Sequence, residues 1–103
     1  MSFQTIKKPQ AERDIEECFV YIAEDNLDIG VYFLVAVEET LEIISKNPFI
    51  GKIRESKNSE LTNLRMFPVK GFQKYQIFYA IHTEKIDIVR VLHGARDLSN
   101  IFS

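Results

Sequence analysis

Cysteine is nearly missing from this chain of 103 residues, where Cys18 stands alone. One thiol excludes an internal disulfide and leaves no material for a thiolate metal cluster. It lies among Ile15, Phe19 and Ile22, where a buried structural thiol is expected. The two histidines come without the cysteine or carboxylate spacing of a metal site, so neither metal nor cofactor is expected. Long hydrophobic runs are missing as well. No stretch approaches the roughly 20 apolar residues that span a bilayer. The segment Met1–Lys8 has neither the apolar core nor the small-residue cleavage site of a signal peptide, so the expected location is the cytoplasm. There is no cationic excess: the formal charge is −2 and the pI is about 5.7. That argues against a protein that binds nucleic acid alone through phosphate contacts, although Lys52, Arg54, Lys57, Arg65, Lys70 and Lys74 crowd the middle of the chain. Repeats and low-complexity tracts are absent too.

What remains is ordinary. Apolar residues make up 46% and charged residues 27%, the balance of a soluble globular protein rather than a disordered one. The length fits one domain, expected over residues 1–103.

Residues 3–7 alternate as a short strand. Pro9 suits the first turn of a helix, where its missing N–H costs nothing. Ala11, Ile15, Cys18, Phe19 and Ile22 follow at helical spacing, which predicts a helix over about 9–24. Glu12 and Asp14 near its start favour the helix dipole. Asp25-Asn26 interrupts this pattern and can cap a second helix. Ile29, Phe33, Val37, Leu41 and Ile44 then recur at three- and four-residue steps, so the second helix is expected over about 27–46, ended by Asn47-Pro48. Residues 49–60 read as a loop. Three β-branched and aromatic stretches follow, Leu64–Val69, Tyr75–Ile81 and Ile86–Leu92, with connections short enough for an antiparallel meander. The expected architecture is α+β: an N-terminal strand, a helical hairpin, and a three-stranded meander that completes one antiparallel sheet.

The strands are apolar on both sides. Tyr75, Ile77, Tyr79 and Ile81 face one way, Phe78 and Ala80 the other; Ile86, Ile88 and Leu92 oppose Val89 and Val91. Such strands want cover on both faces, and two helices cover only one. Residues 98–103 can fold over the second face, or a partner peptide can lie there or on an exposed edge.

Several local patterns are shared with known proteins. Ala11-Glu12-Arg13-Asp14-Ile15 opens the first helix and Tyr21-Ile22-Ala23-Glu24 closes it. Asn47-Pro48 with Gly51 follows the second helix, and Leu64-Arg65-Met66-Phe67-Pro68-Val69 makes the next strand. Arg90-Val91-Leu92-His93-Gly94-Ala95-Arg96-Asp97 comes last. In this order and spacing the chain resembles the ParE branch of the ParE/RelE toxin superfamily over essentially its whole length.

That resemblance implies the toxin of a type II toxin–antitoxin system, linked to plasmid stabilisation and stress response and neutralised by a cognate antitoxin in a hetero-oligomer. ParE-type members are described as inhibitors of DNA gyrase, so the implied target is gyrase, through its A-type subunits. RelE-type members instead cut mRNA on the ribosome. Their chemistry needs cationic side chains to activate a ribose hydroxyl and an acid near the leaving group. By the resemblance, the positions of two such lysines hold Asn63 and Leu61, an arginine position after Tyr75 holds Gln76, and a tyrosine position near the C-terminus holds Phe102. Only Arg96 keeps its residue type. No catalysis is therefore expected. The alternatives are an mRNA interferase using Arg96, His93 and Arg65, and a non-toxic binding module or co-repressor.

Candidate contact residues for target or antitoxin are Arg65, Phe72, Tyr75, Arg90, His93 and Arg96. Arg65 and Arg90 interrupt apolar strands, where a charge must be paired or face water. Each either pairs with a helix carboxylate or meets a partner. Phe72 and Tyr75 read as core residues or, beside Gly71, as exposed anchors. His93 reads as a hydrogen-bonded strand-end histidine, and Gly94 lets Arg96 and Asp97 swing back as an ion pair. The acidic face of the first helix (Glu12, Glu16, Glu17, Glu24, Asp25) is a solvated surface or meets a basic antitoxin tail.

Overall fold

A computed structural model describes residues 2–54 and 64–94. Strand β1 is Gln4–Lys7, helix α1 Pro9–Asp25, helix α2 Leu27–Lys46, and strands β2 to β5 are Lys52–Arg54, Leu64–Val69, Phe72–His82 and Lys85–His93. The five strands form one sheet in the order β1-β5-β4-β3-β2. The α+β architecture is the expected one, and both helices match their expected spans to within a residue.

Two features of the sheet differ from expectation. The sheet is mixed rather than antiparallel: β1 runs parallel to β5, with Gln4 opposite Lys85 and Lys7 opposite Ile88. The segment expected as a loop contains β2, which pairs antiparallel with β3 from Lys52 opposite Met66 to Arg54 opposite Leu64. Three residues with one apolar member are too short to show a period. The order of the strand comes from its partner.

The hairpin's joint is a single residue. Asn26 closes α1 through its amide, which donates to the Ile22 carbonyl at 3.1 Å, and caps α2 through its side chain, which accepts from the Ile29 amide at 3.2 Å. Gly30 marks the crossing: a Cβ there would lie 2.9 Å from the Ala23 Cβ, so only glycine lets the helices approach this closely. At the other end of α2, the Ser45 hydroxyl donates to the Phe3 carbonyl and the Phe3 amide donates to the Ser45 carbonyl at 2.9 Å. Thr40, fully buried, donates to the Ala36 carbonyl at 2.6 Å and accepts from the Lys70 amide at 3.0 Å. It ties α2 to the β3–β4 turn, where Gly71 takes φ 80°. Among the described residues, no helix is long and apolar enough to cross a membrane.

The main core lies between the hairpin and one sheet face and includes Ala11, Phe33, Val37, Ile44, Ile77, Tyr79, Ile86, Ile88 and Val91. The opposite face carries a second buried cluster, Leu64, Phe78 and Leu92, with Met66, Ala80 and Val89 against it. Val91 and Leu92 are thus exchanged relative to simple alternation. Phe78 pairs with Arg90 but Tyr79 pairs with Ile88, so Val89 is an extra residue that shifts the phase of β5. The expected cover from residues 98–103 lies outside the described residues.

Tyr79 fastens the turn after α2 to the sheet. Its hydroxyl donates to the Pro48 carbonyl at 2.7 Å and accepts from the Gly51 amide at 2.9 Å, with the side chain fully buried. Tyr79→Phe leaves both groups without this partner and is expected to lower stability by about 1–3 kcal/mol in urea unfolding. Burial pushes the phenol above its ordinary 10.0, outweighing the Gly51 hydrogen bond and the Arg65 charge, which both lower it. A raised folded pKa means that the contribution is complete below about pH 10 and is lost as pH rises through the folded value. The wild type should therefore lose more stability between about pH 9 and 11 than Tyr79→Phe does. Equal losses would contradict the assignment.

Candidate functional site

β1 stops at Lys7 while β5 continues to His93, so part of the β5 edge would be left open beyond Ile88. The Lys8 amide makes the last bond of the ladder, to the Ile88 carbonyl at 3.0 Å. Helix α1 takes over from there. Asp14, 4% exposed, accepts the Val91 amide through Oδ2 at 3.0 Å. Arg90 clamps the same carboxylate, Nε on Oδ2 at 2.7 Å and a terminal nitrogen on Oδ1 at 2.9 Å, and Gln10 donates to Oδ1 at 3.2 Å. The Cys18 thiol, buried as expected, lies 4.0 Å from the Val91 carbonyl. A buried carboxylate with these donors is satisfied in both charge and hydrogen bonding.

Above this pair runs an open groove of about 690 Å³ between α1 and β5, lined in part by Glu16, Glu17, Val20, Tyr21 and Glu24. Val20 and Tyr21 are each about half exposed, at 50% and 54%. The floor is Asp14, Arg90, Val91 and Leu92. The groove joins apolar contact area to a rim of three glutamates and Arg13.

The candidate residues from the sequence are spread over three places. Arg90 is in the groove floor and is paired with a helix carboxylate, one of the two expected outcomes. Arg65 is held differently: it donates to the Gly51 carbonyl at 2.8 Å and the Phe49 carbonyl at 3.3 Å, and its guanidinium lies 5.0 Å from the centre of the Phe49 ring. Carbonyls and a ring thus stand where a helix carboxylate was expected. Tyr75 and Phe72 are not exposed anchors. Tyr75 is 7% exposed, with its ring 5.0 Å from Phe33, and half-buried Phe72 meets the Phe33 ring edge-on at 5.3 Å. The alternation of β4 already places Tyr75 on the core face, and the neighbouring Gly71 is the misleading signal. His93 stacks edge-on against Tyr75 at 5.0 Å, and the Gly94 amide donates to the Lys74 carbonyl at 2.7 Å. Arg96, Asp97, Phe102, Leu61 and Asn63 lie outside the described residues. Among the described residues, no three His, Cys, Asp or Glu side chains gather as metal ligands.

The residue that sequence reasoning misses is Asp14. Its place near the helix start suggests a dipole role, yet it sits on the buried stripe with Ala11 and Cys18. A carboxylate there requires a buried cation, and Arg90 on an apolar strand requires an anion. Those two anomalies, taken together, are the available signal.

Comparison with known proteins agrees with the resemblance. The family profile for the ParE toxin of the type II toxin–antitoxin system parDE matches residues 6–98. No curated protein sequence matches the chain. A solved structure described as the chromosomal ParDE TA system from P. aeruginosa superposes with a TM-score of 0.70 at 12% identity, over 89% of this chain and 96% of that one. At that identity it shows the shared fold. With the profile spanning nearly the whole sequence, this chain belongs to the ParE toxin family of type II toxin–antitoxin systems.

Proposed function

We propose that the chain, acting in the cytoplasm as one domain, halts replication by binding DNA gyrase through protein contact, without catalysis or cofactor. A cognate antitoxin neutralises it by laying a basic, partly apolar segment into the α1–β5 groove. The observation that carries the non-catalytic reading is the commitment of the strand arginines. Arg90 is held by Asp14 and Arg65 by the Phe49–Gly51 turn, so both serve the fold. Gln76, where a RelE-type arginine would stand, turns its amide to the Gln73 carbonyl at 2.8 Å. For the antitoxin, the support is the groove itself, where three glutamates frame half-exposed Val20 and Tyr21.

Pulse labelling after induction of the chain alone in a bacterium tests the reading. DNA synthesis is expected to stop before protein synthesis, with filamentous cells, and purified gyrase is expected to lose supercoiling activity in its presence. Early collapse of protein synthesis with ribosome-dependent transcript cleavage would instead place the function with Arg96 and His93 as an interferase. Growth unaffected by induction would leave a non-toxic binding module.

A further inference from the structure

The chain's charges are strongly segregated. Residues 9–46, the two helices and their joint, carry ten carboxylates against two cations, a formal −8, while the remainder carries eleven cations against five carboxylates, a formal +6. Within this acidic unit, Leu27–Val37 contains a single charged residue, Asp28. A helix so apolar all round is normally buried all round, yet α2 buries only one side. Leu27, Val31 and Val35 recur every fourth residue on its outer side and are 62%, 47% and 50% exposed, with Tyr32 beside them at 63%. Glu24, Asp25 and Asp28 bracket this face at the hairpin's joint, whereas Glu38 and Glu42 at the far end are already paired with Lys7 and Lys46.

We propose that the Leu27–Val31–Val35 face of α2 docks a basic amphipathic helix of a partner protein. The four-residue spacing is the ridge that packs into a groove of another helix. From Leu27 to Glu42 the surface runs roughly 22 Å along the axis, about four turns of a partner helix. The acidic joint calls for Lys or Arg toward the end of that helix that lies beside Glu24, Asp25 and Asp28. A second copy of this chain would set one acidic hairpin against another, and anionic lipid or nucleic acid would meet the same repulsion. The face is on α2, apart from the α1–β5 groove, and the assignment does not depend on what the toxin inhibits.

Fluorescence anisotropy with a synthetic Leu/Lys amphipathic helix of about five turns tests it, beside a Leu/Glu counterpart of the same pattern. The Leu/Lys helix is expected to bind the intact chain at least about tenfold more tightly than the Leu/Glu helix, and more weakly as NaCl rises from about 50 to 300 mM. Val31→Asp decides the matter, since it removes apolar contact while adding negative charge. Binding through the ridge falls about tenfold or more, whereas non-specific attraction to an acidic protein rises. Ile53→Asp, on the exposed β2, leaves the docking affinity within about twofold. Val35→Asp is the second variant, and circular dichroism confirms that each folds. Unchanged or tighter binding by both ridge variants overturns the proposal. So does sedimentation showing a homodimer that Val31→Asp dissociates, which would assign the face to a second copy.

Discussion

Asp14→Ala is expected to lower the unfolding free energy by about 3–5 kcal/mol, because it strips a bidentate carboxylate from a largely buried guanidinium and the acceptor from a buried amide. Arg90, whose side chain is 22% exposed in the pair, loses this carboxylate, and the Val91 amide is left facing a helix that no longer offers an oxygen. Asp14→Asn should cost less, since its carbonyl still accepts one of the donors that now converge on the carboxylate. A paired replacement, Asp14→Leu with Arg90→Met, should recover much of the loss, because an apolar pair of similar volume leaves no uncompensated charge. Equilibrium urea unfolding of the wild type, Asp14→Leu, Arg90→Met and the double variant forms a cycle whose coupling energy is the pair's own. A cycle that closes near zero would show that the contact contributes nothing beyond its separate parts.

Phe33→Ala is expected to be comparably damaging, with a loss of about 3–5 kcal/mol. That is a large share of the stability of a domain this size. Phe33 is fully buried on α2 and meets Phe72 at 5.3 Å and Tyr75 at 5.0 Å, both edge-on, while Tyr75 in turn supports His93. Removing the central ring opens a cavity and undercuts the contact between α2 and the start of β4. Phe33→Leu should lose markedly less, since most of the volume remains. A melting temperature for Phe33→Ala within a few degrees of wild type would show that the neighbouring rings collapse into the space, and that the cluster is not what fixes α2 on the sheet.

The elements best read from sequence are those whose order is local. The helices announce themselves through three- and four-residue apolar spacing and through Pro9, Asn26 and Asn47-Pro48. Strands β3, β4 and β5 announce themselves through β-branched and aromatic runs. What sequence could not supply is pairing at a distance. The parallel register of β1 on β5 joins residues 4–7 to residues 85–88, and nothing in either segment encodes direction. The phase shift at Val89 is invisible because apolar residues stand on both sides of it. β2 exists because β3 offers an edge.

The site is legible in part. Arg65 and Arg90 stand out in the sequence as charges needing an explanation, and the structure supplies different ones: backbone carbonyls and a ring for the first, a helix carboxylate for the second. The groove is not legible, because it arises where a short strand ends and a helix takes its place at the sheet's edge. Only the acidic and half-apolar character of its α1 wall can be read in advance.

The parallel pairing of β1 also dictates an order of events during synthesis. β1 and both helices leave the ribosome well before residues 85–88, to which β1 must bond. Some forty residues separate the end of α2 from β5, a delay of roughly 2–8 s at ordinary bacterial elongation rates. During that interval β2, β3 and β4 can pair with one another, but β1 and the α1 side of the hairpin still lack the strand that joins them to the sheet. The sheet closes around β5 last, and only then does α1 meet the strand that completes the groove.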